Sequence, residues 1–396
     1  MRFILFLSVV LAAGVAAGME FSPVNIEESW LYNNRARILQ LFGARSEDPR
    51  LNDYGSVDTA AVQLGHKLFF DKRLSGSEKI SCATCHQPNR FWTDGRQVAE
   101  GAGVSKFNTP TLAGVRRLKW LFWDGRAIGL AHQALEPMYN HEEMAGDVAR
   151  IIQIFGTTEE YRLGYEKKFG SLPSAQCVNS TTRNCKALLN VFELNVTGLL
   201  ATFVASIESP ETEFDRFLAE LARNEKQKTF QAQHIRGIRI FIEKGNCAAC
   251  HSGGDFTDGQ FHNVLVPESA GPSVFSAGRY GAIRDAISRL SANRDANSEF
   301  DSFVSNEFSR ARSDSSMFGA FKTPTLRGLR CTSPYMHNGK YENLEEVVKH
   351  YSSFENVIRP QHHDDPLLQP RSFSKSEQED LIAFLLTLSA KSETCR

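Results

Sequence analysis

Apolar residues along this chain recur mainly three and four positions apart, the spacing that gathers them on one face of an α-helix. The segments with this pattern are residues 58–70, 183–207, 211–223, 237–243 and 344–351. Ser374-Lys-Ser-Glu377 is a capping box and predicts a further helix that runs to Leu388. The sequence has no extended alternation of apolar and polar residues, the pattern of a half-buried strand. The predicted fold class is therefore mainly α.

Two segments of the chain share one sequence pattern, which indicates an internal duplication. Phe107-Asn-Thr-Pro-Thr-Leu-Ala-Gly-Val-Arg116 matches Phe321-Lys-Thr-Pro-Thr-Leu-Arg-Gly-Leu-Arg330. Each copy follows a Cys-x-x-Cys-His motif, and a Thr-Asp-Gly sequence also follows each of these motifs.

The Cys-x-x-Cys-His motifs carry the most specific chemical signal in the chain. In such a motif the two thiols bind one haem covalently and the adjacent His ligates its iron. The alternatives are a structural disulfide and a zinc site, but a zinc ribbon needs a second pair of ligands near each motif, and none is present. We therefore predict two covalently bound haems of the c type, held by Cys82, Cys85 and His86 and by Cys247, Cys250 and His251.

The duplication predicts two cytochrome c-like domains with one haem each. The polar break at residues 224–228 is the predicted boundary, which gives haem domains at residues 18–225 and 226–396. The second copy has a long insert, residues 278–316, rich in Ser, Arg, Asp and Asn. We expect this insert to be a surface excursion with some helix.

The N-terminus has the features of a secretory signal, with Arg2 followed by an apolar stretch and small residues. We expect residues 1–17 to be a signal peptide, cleaved after Ala17 or Gly18; the alternative is an uncleaved membrane anchor. The formal net charge is −1 and the chain has no run of Lys or Arg, which argues against nucleic acid as a partner and against stable membrane association.

Four cysteines lie outside the haem motifs, and an even number in an exported protein predicts disulfides. Cys177 with Cys185 would close a short loop rich in Asn, Ser and Thr. Cys331 with Cys395 would attach the C-terminus to the second haem domain. Buried free thiols are the alternative.

Alignment of the two copies predicts that the two irons differ in kind. Trp123 falls opposite His337, and fourteen residues later Pro137 falls opposite Tyr351. Proline has no side-chain donor atom, whereas tyrosine can give a phenolate to Fe(III). We therefore predict an open first haem and a second haem closed by His251 and Tyr351. Without the alignment, Tyr351 would be interpreted as a core aromatic residue.

Candidate catalytic residues surround the predicted open face of the first haem. A carboxylate such as Glu143 can take a proton from peroxide and deliver it to the departing oxygen. Gln133, one helical turn before Pro137, can hydrogen-bond the peroxide or a water molecule. Glu143 could instead be a solvated loop residue, and Glu142 and His141 are the neighbouring alternatives.

At these residues the chain resembles the bacterial dihaem cytochrome c peroxidase superfamily, which includes the MauG-type enzymes. The resemblance extends over nearly the whole mature chain. Its most specific segments are Leu64-Gly-His-Lys-Leu-Phe-Phe-Asp-Lys-Arg-Leu-Ser75, Phe91-Trp-Thr-Asp-Gly-Arg96, Asn108-Thr-Pro-Thr-Leu112, Phe122-Trp-Asp-Gly-Arg-Ala127 and Pro334-Tyr-Met-His-Asn-Gly339.

The resemblance implies roles for these residues. Trp123 would lie between the haems and relay an electron hole, although a buried Trp can equally be core packing. Gln133, Pro137 and Glu143 would form the peroxide pocket. The resemblance also implies one calcium ion between the domains. Its protein ligands would be the Asn108 side chain and the carbonyls of Thr332 and Pro334, with waters completing an oxygen shell.

Within the superfamily, the position of Tyr351 is occupied by Met in the usual peroxidases and by Tyr in MauG-type enzymes. Many of the usual peroxidases also have a blocking His in the region that matches residues 97–106, where this chain has none. MauG itself has a surface Trp before the second haem motif, where this chain has Gly245. The resemblance therefore implies the MauG branch without its tryptophylquinone-forming activity.

The predicted function is a periplasmic, MauG-like dihaem peroxidase or oxidase. It would reduce hydrogen peroxide with electrons from an unknown donor, either a small redox protein or a protein substrate. One alternative is peroxide-dependent oxidative modification of a partner protein. The other is a dihaem electron carrier without catalysis, in which both irons would be six-coordinate.

Overall fold

The structure is a computed structural model that describes residues 26–43, 58–267, 276–292, 306–310, 315–355, 357 and 367–391. The expected signal peptide and Cys395 lie outside the described residues. The fold is mainly helical, as predicted. The helices that we number are α1 Ile26–Asn33, α2 Arg35–Phe42, α3 Thr59–Phe70, α4 Cys82–Cys85, α5 Gly129–Tyr139, α6 Val148–Thr157, α7 Glu159–Phe169, α8 Arg183–Ala205, α9 Glu213–Ala222, α10 Ala232–Ile242, α11 Gly278–Ala292, α12 Leu344–Ser353 and α13 Lys375–Leu386.

Short 3-10 turns and strands connect these helices. The turns are Lys72–Leu74, Pro88–Arg90, Val115–Arg117, Ala175–Cys177, Cys247–Ala249 and Ser315–Met317. The strands form two antiparallel pairs, β1 Trp120–Leu121 with β2 Ala127–Ile128, and β3 Phe261–His262 with β4 Phe321–Lys322. Residue 120 pairs with residue 128, and residue 261 with residue 322. The β1–β2 pair therefore closes a short loop around Trp123.

The predicted helices are confirmed, with small shifts at their ends. Asp58 caps α3 through hydrogen bonds from the backbone N–H groups of Ala60 and Ala61. The predicted capping box opens α13, because the backbone N–H groups of Ser374 and Glu377 each donate to the other's side chain. Helix α13 ends at residue 386 rather than 388, and α10 begins at residue 232, earlier than predicted.

Helices α3, α5 and α8 build the first core. A Cβ atom on Gly65 of α3 would lie 2.0 Å from the Leu199 carbonyl oxygen of α8, so only glycine permits this close crossing. Leu68 and Phe69 of α3 are buried, and the Phe69 ring packs against Phe203 of α8 at 5.1 Å. Each buried side chain of this kind contributes roughly 1.5–3 kcal/mol to folding.

Helices α10 and α13 build the second core with the same kind of crossing. A Cβ atom on Gly237 would lie 2.2 Å from the Asp380 carbonyl oxygen. Phenylalanine rings fill the space around this crossing, with Phe241 and Phe256 both in ring contact with Phe384.

Residues from well before residue 225 also join the second core. Helices α1 and α2 pack there through Leu31, Ile38 and Phe42, and α9 packs there through Phe214 and Phe217. The second core is therefore assembled from distant parts of the chain, and the domain boundary at residue 225 stays a prediction.

A buried ionic cluster joins the two cores. Arg117 Nε lies 2.6 Å from Asp255 Oδ2, and Arg117 Nη1 lies 2.9 Å from Glu208 Oε2. Arg327 Nη2 lies 2.7 Å from Asp215 Oδ1. Burial raises the pKa of Asp215, but the Arg327 hydrogen bonds and charge outweigh burial, so that this pKa lies below its ordinary value. These pairs connect loops of both copies to the segment between the cores.

The insert of the second copy contains the expected helix, α11, but the insert is more than a surface excursion. Arg279 in the first turn of α11 is only 2% exposed. Ile283 is buried in a small cluster with Ile128 and Phe308. Apolar burial at one end therefore attaches the insert to the β1–β2 segment. Residues 293–305 and 311–314 lie outside the described residues.

The predicted Cys177–Cys185 disulfide is confirmed. Cys331 is also disulfide-bonded, and its expected partner Cys395 lies outside the described residues. Among the described residues, α8 is the helix that length and composition would allow to cross a membrane. Its packing against α3 and α5 is that of a core helix.

Candidate active site

The first Cys-x-x-Cys-His motif forms a single helical turn that ends at its His. Ser81 N donates to Thr84 Oγ1 at 2.9 Å, and His86 N donates to Cys82 O at 2.9 Å. His86 Nδ1 contacts Trp92 O at 3.0 Å, which leaves Nε2 as the ring atom for a metal. Burial lowers the pKa of His86 despite its backbone hydrogen bonds, so the ring is neutral, the form that ligates iron.

The second motif repeats this arrangement on a 3-10 turn. His251 N donates to Cys247 O at 2.8 Å, and His251 Nδ1 contacts Phe256 O at 2.9 Å. Burial again lowers the pKa of His251. The duplicated sequence therefore gives two His side chains with the same tautomer-setting contact.

The two copies of the Phe-x-Thr-Pro-Thr-Leu segment connect the motifs to each other. Thr111 Oγ1 donates to a carbonyl of the loop after the first motif at 2.5 Å, and Thr325 Oγ1 donates likewise after the second motif at 2.7 Å. The rings of Phe107 and Phe321 meet edge to face, with centroids 5.8 Å apart. Each segment thus fixes its own motif loop, and the two segments contact each other.

One continuous cavity runs between the two motifs, and the volume open to the centre of a water molecule is about 380 Å³. All the residues that the sequence predicts for the haems, the peroxide pocket and the calcium ion lie at its wall. They are Cys82, Cys85, His86, Asn108, Trp123, Gln133, Pro137, Glu143, Cys247, Cys250, His251, Thr332, Pro334 and Tyr351. The structure brings these residues together, and their individual roles stay predictions.

Helix α5 carries Gln133 and Pro137 on one face, one turn apart. Because proline has no N–H group, the Gln133 carbonyl loses its usual helical donor at that point. The helix ends at Tyr139, and the chain then turns so that Glu143 also reaches the cavity.

The Glu143 carboxyl group has two polar neighbours. Asn140 Nδ2 donates to Glu143 Oε1 at 2.9 Å, and Arg126 Nη2 lies 4.0 Å from the same oxygen. Burial raises the pKa of Glu143 above its ordinary value, although Arg126 and Asn140 partly oppose that effect. A carboxyl group with a raised pKa is better matched to proton transfer near neutral pH.

The two alternatives beside Glu143 are less well placed. His141 and Glu142 are exposed, whereas Glu143 is half-buried. Glu142 N donates to Asn140 Oδ1 at 3.0 Å, so Asn140 uses its oxygen for the backbone of Glu142 and its nitrogen for Glu143. Glu142 also lines the cavity, but its side chain is exposed. The exposure pattern favours Glu143 as the proton carrier.

Trp123 is held by both copies of the repeated segment. Its indole Nε1 donates to Asn108 O at 2.8 Å, and its carbonyl accepts from Lys322 N at 2.7 Å. The side chain is 9% exposed and lies at the cavity wall. Trp123 is therefore part of the packing between the motifs, and its role as an electron relay stays a prediction.

Tyr351 lies on α12 at the cavity wall. Burial, and then the nearby thiols of the second motif, raise the pKa of Tyr351, so a phenolate there requires a cation such as Fe(III). The adjacent His350 is engaged at both ring nitrogens, with Tyr341 Oη at 3.0 Å and Val264 O at 2.8 Å. His350 is thus occupied by these contacts, and iron ligation by the neighbouring Tyr351 stays a prediction.

The predicted calcium ligands offer a hard-oxygen donor set. Asn108 is 6% exposed; its Nδ2 donates to Arg96 O at 2.8 Å, and its N donates to His337 O at 2.8 Å. With the amide nitrogen fixed in this way, Oδ1 is the atom for a cation. Thr332 and Pro334 lie at the same cavity wall. An amide oxygen and backbone carbonyls are ligands that calcium prefers.

Comparison with known proteins shows the family to which the chain belongs. A family model described as di-haem cytochrome c peroxidase matches residues 59–223. The methylamine utilization protein MauG of Methylophilus methylotrophus is 32% identical over 332 residues, 82% of this chain and 81% of that protein. The cytochrome-c peroxidase IdrP2 of Pseudomonas sp. (strain SCT) is 31% identical over 345 residues, 83% of this chain and 81% of that protein. The chain belongs to the dihaem cytochrome c peroxidase and MauG superfamily.

A solved structure supports the fold. The crystal structure of a MauG-like protein associated with microbial copper homeostasis aligns with a TM-score of 0.63 and 24% identity, covering 85% of this chain and 91% of that chain. At this identity the likeness concerns the fold alone.

Membership makes this protein an oxidoreductase of the peroxidase type, with two haem c cofactors, hydrogen peroxide as oxidant and an electron donor. The described residues fit two such haems. The four motif cysteines line the cavity, namely Cys82, Cys85, Cys247 and Cys250.

Sequence reasoning missed two residues that lie beside Glu143, namely Arg126 and Asn140. Arg126 lies over the Phe122 ring at 3.6 Å and pairs with Asp124 at 3.0 Å. Its guanidinium also lies 3.7 Å from Glu136 and 4.0 Å from Glu143. The cation that closes the Phe-Trp-Asp-Gly-Arg segment was visible in the sequence. The Asn140 contact depends on the turn after α5, for which the sequence has no clear signal.

Proposed function

We propose that this protein is a MauG-like dihaem peroxidase, in which peroxide reacts at the haem held by Cys82, Cys85 and His86. Cys247, Cys250 and His251 would hold the second haem with Tyr351 as a further ligand, and that haem would store oxidising equivalents. The observation that carries the proposal is the asymmetry of the cavity wall. Pro137, which has no donor atom, lies near a proton carrier, whereas Tyr351 lies near the second motif.

Cys82, Cys85 and His86 would hold the first haem, which would supply the redox chemistry for the two-electron reduction of peroxide. Glu143 takes a proton from the bound peroxide and returns it to the departing oxygen, so that one peroxide, two electrons and two protons give two waters. Asn140 holds the carboxylate, and Arg126 limits how far the pKa of Glu143 rises. Gln133 hydrogen-bonds the peroxide or a water beside it.

Two further residues of the chain act on electrons rather than protons. Trp123, which both copies of the repeat hold, passes an electron between the two haem sites. An anionic ligand from Tyr351 favours the oxidised over the ferrous state of the second iron.

We further propose that Asn108, Thr332 and Pro334 hold one calcium ion. Asn108 belongs to the first repeat and the other two follow the second repeat, so that the ion would join the two halves. We also propose that the protein is exported to the periplasm, where its haems are attached and its disulfides form.

The test of the proposed function is addition of hydrogen peroxide to the diferric, haem-loaded protein, with optical spectra of both haems. We expect a high-spin component that peroxide removes at once, together with turnover when a reduced small redox protein is added. An electron carrier without catalysis would show two low-spin haems and no response to peroxide, and that result would overturn the proposal.

A further inference from the structure

Two tryptophans only three residues apart have opposite electrostatic surroundings. The Trp123 indole donates to Asn108 O at 2.8 Å, an acceptor that stabilises positive charge on the ring. The Trp120 ring is instead covered by a guanidinium group, because Arg279 Cζ lies 3.8 Å from the ring centroid.

Arg279 is fixed over Trp120 from several sides. Its Cζ also lies 4.3 Å from the centroid of the Phe261 ring, and its Nη1 donates to the carbonyls of Gly125 and Asp124. A Cβ atom on Gly125 would lie 2.6 Å from the same Nη1, so this packing leaves no spare room. Although burial lowers the pKa of Arg279 to about 10, the group is still charged at neutral pH.

A cation over the face of an indole stabilises the neutral ring and opposes its oxidation. Loss of one electron from Trp120 would leave two positive charges in contact, and burial screens their repulsion poorly. Lys119 Nζ is a second cation, 5.3 Å from the same ring, although an ion pair with Glu307 partly neutralises its charge. Trp123 has no such group over its ring among the described cation–aromatic contacts.

We propose that Arg279 keeps the oxidising equivalents that peroxide generates off Trp120 and so confines them to the haem sites and Trp123. The inference rests on the proposed peroxidase function. Arg279 is a positioning residue, because it acts through the Trp120 ring and contacts no reacting atom. The insert of the second copy thereby protects the half-buried Trp120 from damage.

The damage has a defined chemistry. Hydroxylation of the Trp120 indole consumes one water, and the oxygen of that water is added to the ring. Together the ring and the water lose two electrons and two protons. One peroxide, reduced at the haem to two waters, supplies the two oxidising equivalents. The product is a mass increase of one oxygen on the peptide that contains Trp120.

The experiment treats haem-loaded protein with hydrogen peroxide in the absence of donor and maps oxidised peptides by mass spectrometry. Arg279→Gln removes the charge and keeps a donor for the two carbonyls, whereas Arg279→Lys keeps the charge. Arg284→Gln, at an exposed position of the same helix, is the matched control. We expect Trp120 oxidation to rise about tenfold or more in Arg279→Gln and to stay close to the wild-type level in the other two variants.

Equal Trp120 oxidation in wild type and folded Arg279→Gln would overturn the inference. Trp120→Phe in the otherwise unchanged protein gives an independent measurement if Arg279→Gln does not fold. The oxidised state that peroxide forms should decay at the wild-type rate in Trp120→Phe. Slower decay in this variant would mean that Trp120 reduces the oxidised state in the wild-type protein, which would contradict the inference. If peroxide leaves the haem spectra unchanged, the proposed function fails and the inference falls with it. If peroxide does change the haem spectra but Trp120 is oxidised equally in wild type and in folded Arg279→Gln, the inference is overturned and the proposed function stands.

Discussion

The Asn140 amide nitrogen donates to Glu143 Oε1 at 2.9 Å, from only three positions earlier in the chain. The contact holds the carboxylate at the cavity wall, while the oxygen of the same amide accepts from the Glu142 backbone. One side chain therefore separates two consecutive glutamates into a half-buried and an exposed residue.

Glu143→Gln should slow the reaction of peroxide with the diferric protein by about 10²–10⁴-fold, because the amide keeps the size but carries no proton. Stopped-flow absorbance of the haems measures this rate. Glu142→Gln is the matched control and should react as wild type. A slow Glu142→Gln beside a normal Glu143→Gln would move the proton carrier by one residue. If both variants react at the wild-type rate, His141 becomes the next candidate.

The rate should also depend on pH through Glu143. Only the carboxylate form accepts a proton from peroxide, so the rate should fall as the pH decreases through the pKa of Glu143. Burial raises that pKa, so the fall should lie above the ordinary value of 4.5. The same stopped-flow series in Glu143→Gln should not show this fall in rate. A fall in rate that persists in the variant would belong to the titration of another group.

Tyr351→Phe should leave both haems attached but remove the phenolate ligand from the second iron. Magnetic resonance of the ferric wild-type protein should show one high-spin and one low-spin signal. In the variant, the low-spin signal should disappear or shift, and the oxidised state that peroxide forms should decay faster. Phe354→Leu, which changes an aromatic neighbour of Tyr351 without a donor atom, is the control. Unchanged spectra in Tyr351→Phe would make Tyr351 a core residue only.

Removal of calcium should perturb both haems together, because the proposed ligands belong to both halves of the chain. Exhaustive chelation followed by optical spectroscopy should show altered spectra and slower peroxide reaction, and added calcium should restore both. Asn108→Ala should give the same result without chelator. If chelation changes neither spectra nor rate, the three residues do not hold a functional ion.

Asp215→Asn should destabilise the fold by about 3–5 kcal/mol, because it leaves Arg327 buried without its ion-pair partner. The pKa of Asp215 is lowered in the folded protein, so its contribution is present above the unfolded value of 3.8 and is lost as the pH falls through the lower folded value. Urea unfolding at neutral and acid pH measures the effect. The free energy of unfolding of the variant should lie below that of the wild type at neutral pH, and this difference should disappear only in acid. Glu211→Gln, whose partner Arg216 is exposed, should cost less than about 1 kcal/mol. If Asp215→Asn leaves the free energy of unfolding unchanged, Asp255 alone is sufficient to pair with Arg327, since Asp255 Oδ1 lies 3.9 Å from Arg327 Nε.

Much of the fold was predictable from the sequence because local patterns decide it. The capping groups of Asp58 and Ser374, and the apolar spacing of α8, act over a few residues. The internal duplication extended this reasoning to Tyr351, since it compares one part of the chain with another. The alignment of the two copies predicts that Pro137 and Tyr351 are equivalent, and the structure puts both at the wall of one cavity.

What the sequence did not predict depends on contacts between distant residues. Arg126 was part of a quoted segment, but its approach to Glu143 depends on how α5 ends. The buried Arg279 was interpreted as part of a polar insert, because the aromatic rings that surround it come from residues 120, 261 and 308. The packing of α1 and α2 in the second core likewise brings together residues about two hundred positions apart.

The two helix crossings at Gly65 and Gly237 lie at different sequence distances from their haem motifs. Gly65 lies 17 residues before Cys82, whereas Gly237 lies 10 residues before Cys247. Since each glycine is fixed by a carbonyl of the crossing helix, the seven additional residues of the first half must be accommodated in the loop between helix and motif. Loop length has therefore been free to vary while the crossings have not. Engineers who wish to change the approach to either haem should alter these loops and keep both glycines.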